Sequence, residues 1–235
     1  ISIIIYLYFL VVKCQELNIN LRGFTIQFKT ILYLLKISAL SSVSPLTSIG
    51  ALILITAYVA ILGPEYLAGY GIAVRLEFIL IPLIFGFGAA SITMIGIHIG
   101  AQKYSRALNI GWLASGFSFL ACGIIGGVIS LFPSIWTDLF FDNESVISIC
   151  KFYLQIVGPF YAFFGLGQAL YFASQGAGKM LWPIISSVIR FIIILVGTSY
   201  LSYVKLFNVE AIFWLISISL FFYGIVTAIA IWMGA

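Results

Sequence analysis

The chain has 235 residues, of which 63% are hydrophobic and 8% are charged, and its 11 basic and 7 acidic residues give a formal net charge of +4. Soluble domains carry about 25% charged residues. The composition therefore excludes a soluble globular domain, a disordered segment and a nucleic-acid-binding domain. The sequence indicates an integral membrane protein.

The first 43 residues are predicted to precede the main membrane domain. Residues 1–12 are apolar and are followed by Lys13, the reverse of the order in a secretory signal. We interpret them as the end of a transmembrane helix, and the chain as a fragment of a longer protein. Residues 13–43 are predicted to be a cytoplasmic connector, because Arg22, Lys29 and Lys36 recur every seven residues opposite an apolar stripe. Such an amphipathic helix suits the lipid headgroup surface.

A lobe of six transmembrane helices is predicted over residues 44–233. A helical span needs about 20 mostly apolar residues. Polar segments separate six such stretches, at residues 44–62, 76–99, 108–131, 152–173, 183–203 and 210–232. Their long runs without alternation are wrong for barrel strands. The predicted fold is an all-α integral membrane lobe of six helices, with part of another helix before it.

Basic residues concentrate on one side of this topology. That side holds seven of them, whereas the other side holds Arg75, Lys151 and Lys205. The seven are Lys13, Arg22, Lys29, Lys36, Lys103, Arg106 and Lys179. The positive-inside rule places the first side in the cytoplasm. We therefore expect a multi-pass protein of the plasma membrane, with a bacterial inner membrane as the favoured location, and we expect anionic lipid rather than nucleic acid as the partner of these charges.

Ionisable side chains at membrane depth are costly and are often functional. Glu77 is the leading candidate, either as a carboxylate that exchanges a proton for a cation or as a rim residue that reaches the headgroups. Arg75 lies two positions away and so does not face Glu77 on a helix. For Arg190, snorkelling toward the interface is favoured over a substrate contact. For His98, an interfacial role is favoured over titration.

The fourth predicted span is unusually polar. Tyr161, Gln168 and Gln175 recur every seven residues along one face, and Tyr171 lies beside them. These side chains are expected either to form hydrogen bonds between helices or to line a cavity.

Small residues and prolines predict close packing and local breaks in the helices. Gly123 and Gly127 lie four residues apart, which allows two helices to approach closely. Pro45, Pro82 and Pro159 lie within or at the start of spans. Broken or kinked helices are common in transporters.

Two stretches carry a family resemblance. The first runs from Leu67 to Glu77 (LAGYGIAVRLE), then through Pro82 to GIHIGA at residues 96–101; the second runs from Phe164 to Gly178 (FGLGQALYFASQGAG), followed by Trp182, Pro183 and Arg190. Together they resemble the second half of the multidrug and toxin extrusion (MATE) transporters.

The resemblance implies a twelve-helix exporter that is made of two six-helix lobes and exchanges organic cations for H⁺ or Na⁺. Residues 1–12 would then end the sixth helix, residues 13–43 would connect the lobes, and residues 44–233 would form the C-terminal lobe. The N-terminal lobe of the same chain would be its partner. Some members use a carboxylate in the seventh helix and another in the tenth, but the first and fourth spans here contain none, which leaves Glu77 as the matching acid.

The first functional hypothesis is a secondary antiporter that exports drug-like organic cations, held by aromatic faces and Glu77, with H⁺ or Na⁺ as coupling ion and no cofactor. The candidate binding residues are Glu77, Arg75, Gln168, Tyr161, Tyr171 and Arg190.

Two other hypotheses stay open. A related flippase for lipid-linked oligosaccharides would need several basic residues inside the lobe, and Arg75 and Arg190 are the two that qualify. A membrane scaffold without transport activity is the third hypothesis. An intramembrane enzyme is not expected, because rhomboid-like Ser/His, HExxH and GxGD signatures are missing. No metal site is expected, because the three cysteines lie far apart.

Overall fold

A computed structural model describes residues 27–140, 143–204 and 208–234. The elements within these ranges are helical and include no strand. They are α1 (Phe28–Leu62), α2 (Pro64–Gly100), α3 (Tyr104–Leu131), the short α4 (Ser134–Thr137), α5 (Glu144–Val157), a 3₁₀ turn (Gly158–Phe160), α6 (Tyr161–Ala177), α7 (Leu181–Tyr203) and α8 (Val209–Trp232).

Six helical segments of the described chain are long and apolar enough to cross a membrane. They are α1, α2, α3, the α5–α6 pair, α7 and α8, in the order of the six predicted spans. The all-α membrane fold is thereby confirmed. The predicted end of a transmembrane helix at residues 1–12 lies outside the described residues.

The first two helices are longer than the predicted spans. α1 runs without interruption from Phe28 to Leu62, so the described part of the predicted connector continues into the first span as one helix. α2 begins at Pro64, twelve residues before the predicted start. The break between them is local, because Gly63 has a φ of 129° and Pro64 occupies the first turn of α2. The domain limit at residues 43 and 44 stays a prediction.

Contacts along the chain separate residues 1–39 from a compact unit at residues 40–235, which is the unit described from here on. In this unit α6 packs against α2, α3 and α8. Its inward positions include Tyr161, Ala169 and Leu170, which have no solvent-exposed surface. The α5–α6 segment therefore lies at the centre of the packing among α2, α3 and α8.

The backbone of α3 lies close to the 3₁₀ turn that precedes α6. A Cβ atom on Gly126 would lie 2.1 Å from the carbonyl oxygen of Gly158, whereas one on Gly127 would meet nothing within 4 Å. A Cβ atom on Gly123 would lie 3.2 Å from that of Ala162. The predicted Gly123 and Gly127 pair is therefore half right, because Gly126 supplies the second close contact.

Two prolines remove helical hydrogen bonds that side chains from other helices replace. Pro159 has no N–H to donate to the carbonyl of Gln155, and the hydroxyl of Ser130 donates to that oxygen at 3.0 Å. Pro45 likewise cannot donate to the carbonyl of Ser41, and the hydroxyl of Tyr171 donates there at 3.3 Å. Since lipid offers no alternative donors, these bonds satisfy two backbone carbonyls that the prolines would otherwise leave unpaired.

The contact at Gly126 predicts a difference between two neighbouring glycines. Gly126→Ala should lower the stability of the folded protein by about 1–3 kcal/mol, because the added methyl group overlaps the Gly158 carbonyl. Gly127→Ala is the matched control and should leave stability unchanged or slightly higher. Thermal unfolding of the two purified variants in detergent measures the difference. Equal melting temperatures would contradict the close approach.

The Pro159 break predicts coupling between two substitutions. Ser130→Ala should cost about 1 kcal/mol, because it leaves the Gln155 carbonyl without a donor. In a Pro159→Ala background, the new N–H of residue 159 can donate to that carbonyl, and the cost of Ser130→Ala should fall. A double-mutant cycle of unfolding free energies tests this coupling. The same cost in both backgrounds would show that the Ser130 hydroxyl does not replace the missing bond.

Candidate functional site

A cavity of about 270 Å³ lies among α1, α2, α5, α6, α7 and α8. We call it the central cavity. Its wall is mostly apolar but also carries polar and charged side chains, as is typical of small-molecule sites. The polar lining residues are Ser44, Ser48, Tyr70, Glu77, Tyr153, Gln168, Tyr171 and Arg190.

Glu77 and Arg190 form an ion pair in the wall of this cavity. The Oε1 atom of Glu77 lies 3.7 Å from the Nη2 atom of Arg190, and the two side chains are 17% and 9% exposed. α2 supplies the carboxylate and α7 the guanidinium. Glu77 therefore lines the cavity rather than extending to a rim. The snorkelling interpretation of Arg190 is wrong, because the carboxylate holds its guanidinium inside the bundle.

The energetics of this pair favour a functional explanation over a structural one. Two opposite charges about 4 Å apart attract by about 4 kcal/mol at an effective dielectric constant of about 20. Removing each ion from water costs several kcal/mol, so a buried pair adds little net stability. Removing one partner alone is costly, because it leaves an unpaired charge in the interior. The pair thus contributes a local field to the cavity more than it stabilises the fold.

Aromatic rings surround the guanidinium of Arg190. Its central carbon lies 5.7 Å from the ring centroid of Phe164 and 5.8 Å from that of Tyr223, within the range of cation–π attraction. The hydroxyl of Tyr223 donates a hydrogen bond to the Oε1 atom of Gln168 at 3.0 Å. Within the described part of the chain, the Nε atom of Arg190 has no hydrogen-bond partner.

Two tyrosines that the sequence analysis did not select also line the cavity. Tyr70 and Tyr153 pack edge to face, with ring centroids 5.6 Å apart. Tyr70 lies seven residues before Glu77 on α2, so the two share a face, and this spacing could have identified it. Tyr153 lies on α5, and no spacing in the sequence relates it to Glu77. Its position is set by tertiary packing.

Four of the six predicted binding residues line the central cavity, and two do not. Glu77, Gln168, Tyr171 and Arg190 all line the central cavity. Tyr161 is fully buried and is not one of the lining residues.

Arg75 points away from the cavity, as its spacing from Glu77 requires. It is exposed, and its guanidinium lies 5.7 Å from the ring centroid of Phe140. His98, in the last turn of α2, is also outside the cavity. Its Nδ1 atom lies 2.8 Å from the carbonyl oxygen of Met94. The geometry therefore does not support a contribution of Arg75 to this cavity.

A second cavity, of about 340 Å³, lies near the ends of α2, α3, α6 and α8 that are close to Lys179. It is larger, but Lys179 is the one charged residue in its described lining. The central cavity is the better candidate site because it brings an acid, a base and several hydroxyls together.

No three His, Cys, Asp or Glu side chains within residues 27–140, 143–204 and 208–234 are grouped closely enough to hold a metal ion. Glu77 is also the one acidic residue in the described lining of the central cavity. A cation that enters this cavity would thus find one carboxylate, together with hydroxyl and amide oxygens and aromatic faces.

Known proteins with similar sequences and structures are membrane transporters. A probable multidrug resistance protein NorM from Thermotoga maritima is 30% identical over 132 residues, which are 55% of this chain and 28% of that protein. A MOP superfamily transporter from Pyrococcus furiosus, described as having a binding pocket of reverse polarity, superimposes with a TM-score of 0.86 at 19% identity, over 98% of this chain and 52% of that one. A MATE structure in the bent conformation superimposes with a TM-score of 0.86 at 21% identity, over 99% of this chain and 52% of that one.

The chain spans about half the length of these solved structures. The MatE family model matches residues 41–201, which include Glu77, Gln168, Tyr171 and Arg190. That range is more than half of the chain, and the structural matches show the same membrane fold. The chain belongs to the MatE family, the multidrug and toxin extrusion transporters.

Proposed function

We propose that this chain forms the C-terminal lobe of a secondary antiporter, which exports organic cations in exchange for H⁺ or Na⁺. The observation that carries the proposal is the position of Glu77. It is a carboxylate at membrane depth that lines a cavity rich in aromatic side chains. An ionisable carboxylate inside the membrane costs free energy, so its presence there indicates a function that a neutral group could not supply.

The exchange follows from the chemistry of one carboxylate. Glu77 can hold a proton, a sodium ion or an organic cation, but two of these compete for the same oxygens. Release of the organic cation is then driven by the arrival of the coupling ion, and the reverse holds on the other side of the membrane. Tyr70, Tyr153 and Tyr171 offer hydroxyls and ring faces along the same wall.

The partner of this lobe is the N-terminal six-helix lobe of the same protein, and the two would alternate between inward- and outward-open states around a shared cleft. We place the basic ends of the helices, with Lys103, Arg106 and Lys179, on the cytoplasmic side of a plasma membrane. The exported cation would be drug-like, because an apolar wall with few polar groups selects lipophilic molecules of moderate size.

The flippase hypothesis receives less support. An anionic headgroup needs unpaired basic residues inside the lobe, but Arg75 is outside the cavity and Arg190 is already paired with Glu77. No feature of the described residues favours a scaffold without transport activity, and the relatives described above are transporters.

Removal of the Glu77 charge tests the proposal. In the full-length protein, Glu77→Gln should lower efflux of a lipophilic cation such as ethidium by about tenfold or more, because the neutral amide can hold neither the cation nor the coupling proton. Dye efflux from energised cells or proteoliposomes provides the measurement.

Glu65→Gln is the matched control. It makes the same substitution on the same helix, but Glu65 is exposed in the first turn of α2 and does not line the cavity. It should transport at the unmodified rate. Wild-type efflux by Glu77→Gln, at equal expression, would exclude Glu77 as the exchanging carboxylate.

A further inference from the structure

The ion pair sets the net charge of the central cavity. Glu77 contributes one negative charge and Arg190 one positive charge. In the described lining, the other polar groups are hydroxyls and the amide of Gln168. The cavity is therefore neutral before a cation enters, and it contains a cation of its own.

The contact between the two charged groups is loose. The Nη2 atom of Arg190 lies 3.7 Å from the Oε1 atom of Glu77, beyond the 2.7–3.2 Å of an N–H···O hydrogen bond. A strong arginine–carboxylate pair is bidentate, with two short parallel bonds. Here Coulomb attraction holds the guanidinium near Glu77, but no specific geometry locks it in place, so another cation can replace it at the carboxylate.

Arg190 already touches the groups that can keep it after such a replacement. Its guanidinium lies over the rings of Phe164 and Tyr223, at 5.7 and 5.8 Å. Tyr223 is fixed by its hydrogen bond to Gln168. A displaced guanidinium can therefore stay against these two rings, and its Nε–H, which has no partner in the described structure, is available to a new acceptor.

This inference rests on the proposed function. We propose that Arg190, a cation fixed to the protein, competes with the bound organic cation for Glu77, and that it limits the central cavity to monovalent cations. While the cavity is empty, Arg190 neutralises the carboxylate. When an organic cation binds Glu77, Arg190 moves onto Phe164 and Tyr223 but remains in the cavity.

The net charge of the cavity in each bound state explains the selectivity for monovalent over divalent cations. With Glu77 protonated, the cavity carries one positive charge, from Arg190. With Glu77 ionised and a monovalent cation bound, the net charge is again one positive. Exchange of one proton for one monovalent cation thus leaves the net charge of the cavity unchanged. A divalent cation would add a second uncompensated charge, which a low-dielectric interior penalises strongly.

Ethidium and propidium form a matched pair of probes. They share one aromatic ring system, and propidium adds a second positive charge. Dissociation constants for both are measured by fluorescence on the purified full-length protein at alkaline pH, where a carboxylate stays ionised. The variants are Arg190→Gln, Arg190→Lys, Glu77→Gln and Glu77→Gln/Arg190→Gln. Arg106→Gln is the control, since it removes an exposed arginine outside the cavity.

The wild-type protein and Arg190→Lys should bind ethidium more tightly than propidium. Arg190→Gln should shift this preference toward propidium by about tenfold or more, which corresponds to about 1.4 kcal/mol. The shift should disappear when Glu77→Gln is also present, and Arg106→Gln should cause none. If Arg190 had only a structural role, Arg190→Gln would weaken the binding of both probes alike and would not change the ratio of their dissociation constants.

An unchanged probe ratio in folded Arg190→Gln would overturn the proposal. If that variant does not fold, the double variant removes both charges and keeps no unpaired one, so it remains measurable. Wild-type protein that binds propidium as tightly as ethidium would also overturn it. If Glu77→Gln leaves ethidium binding intact, the assignment of Glu77 under the proposed function has failed. If Glu77→Gln weakens ethidium binding but Arg190→Gln does not change the ratio, only the role of Arg190 has failed.

Discussion

The ion pair between Glu77 and Arg190 is the interaction on which the site depends. It joins α2 to α7 in the wall of the central cavity, with 3.7 Å between the Oε1 atom of Glu77 and the Nη2 atom of Arg190. A membrane domain with 8% charged residues has few charges to place, and placing two of them inside is expensive. The pair reduces that cost because each ion partly replaces the water that the other has lost. It also gives the cavity its one described acid and an adjacent cation.

The rest of the lobe holds these two groups in position by satisfying the backbone where helices are broken or closely packed. The α5–α6 segment carries Tyr153, Phe164, Gln168 and Tyr171 into the cavity wall, and the 3₁₀ turn at Gly158–Phe160 separates its two helices. That break needs the Ser130 hydroxyl as a substitute donor, and it needs Gly126 to let α3 approach. The Ser130 hydroxyl and the absence of a side chain at Gly126 thus allow the 3₁₀ turn to form against α3.

Sequence reasoning identified much of the fold because the physical signal is strong. Each span contains an apolar run long enough to cross a membrane, and the Gly63–Pro64 pair gives a clear boundary. The site was identified in part. Glu77 was selected as an acid within an apolar segment, and Gln168 and Tyr171 as polar residues on one helical face. Tyr70 shares the α2 face of Glu77, so periodicity could have selected it as well. Tyr153 and the pairing of Arg190 with Glu77 were missed, because nothing along the chain relates α5 or α7 to α2.

By itself, the sequence determined that the protein is embedded in a membrane, that its spans are helical, and that Glu77 is the acid that matches the family pattern. The first two properties depend on composition and on local periodicity, which need no knowledge of neighbouring helices, whereas the third rests on the resemblance to a known family. The tertiary structure alone decided that Arg190 faces Glu77 instead of the lipid surface, and that Gly126 rather than Gly127 makes the tight contact. Each of these depends on which helices pack together and at what rotation, because a side chain at membrane depth takes its role from the group that it meets across the bundle.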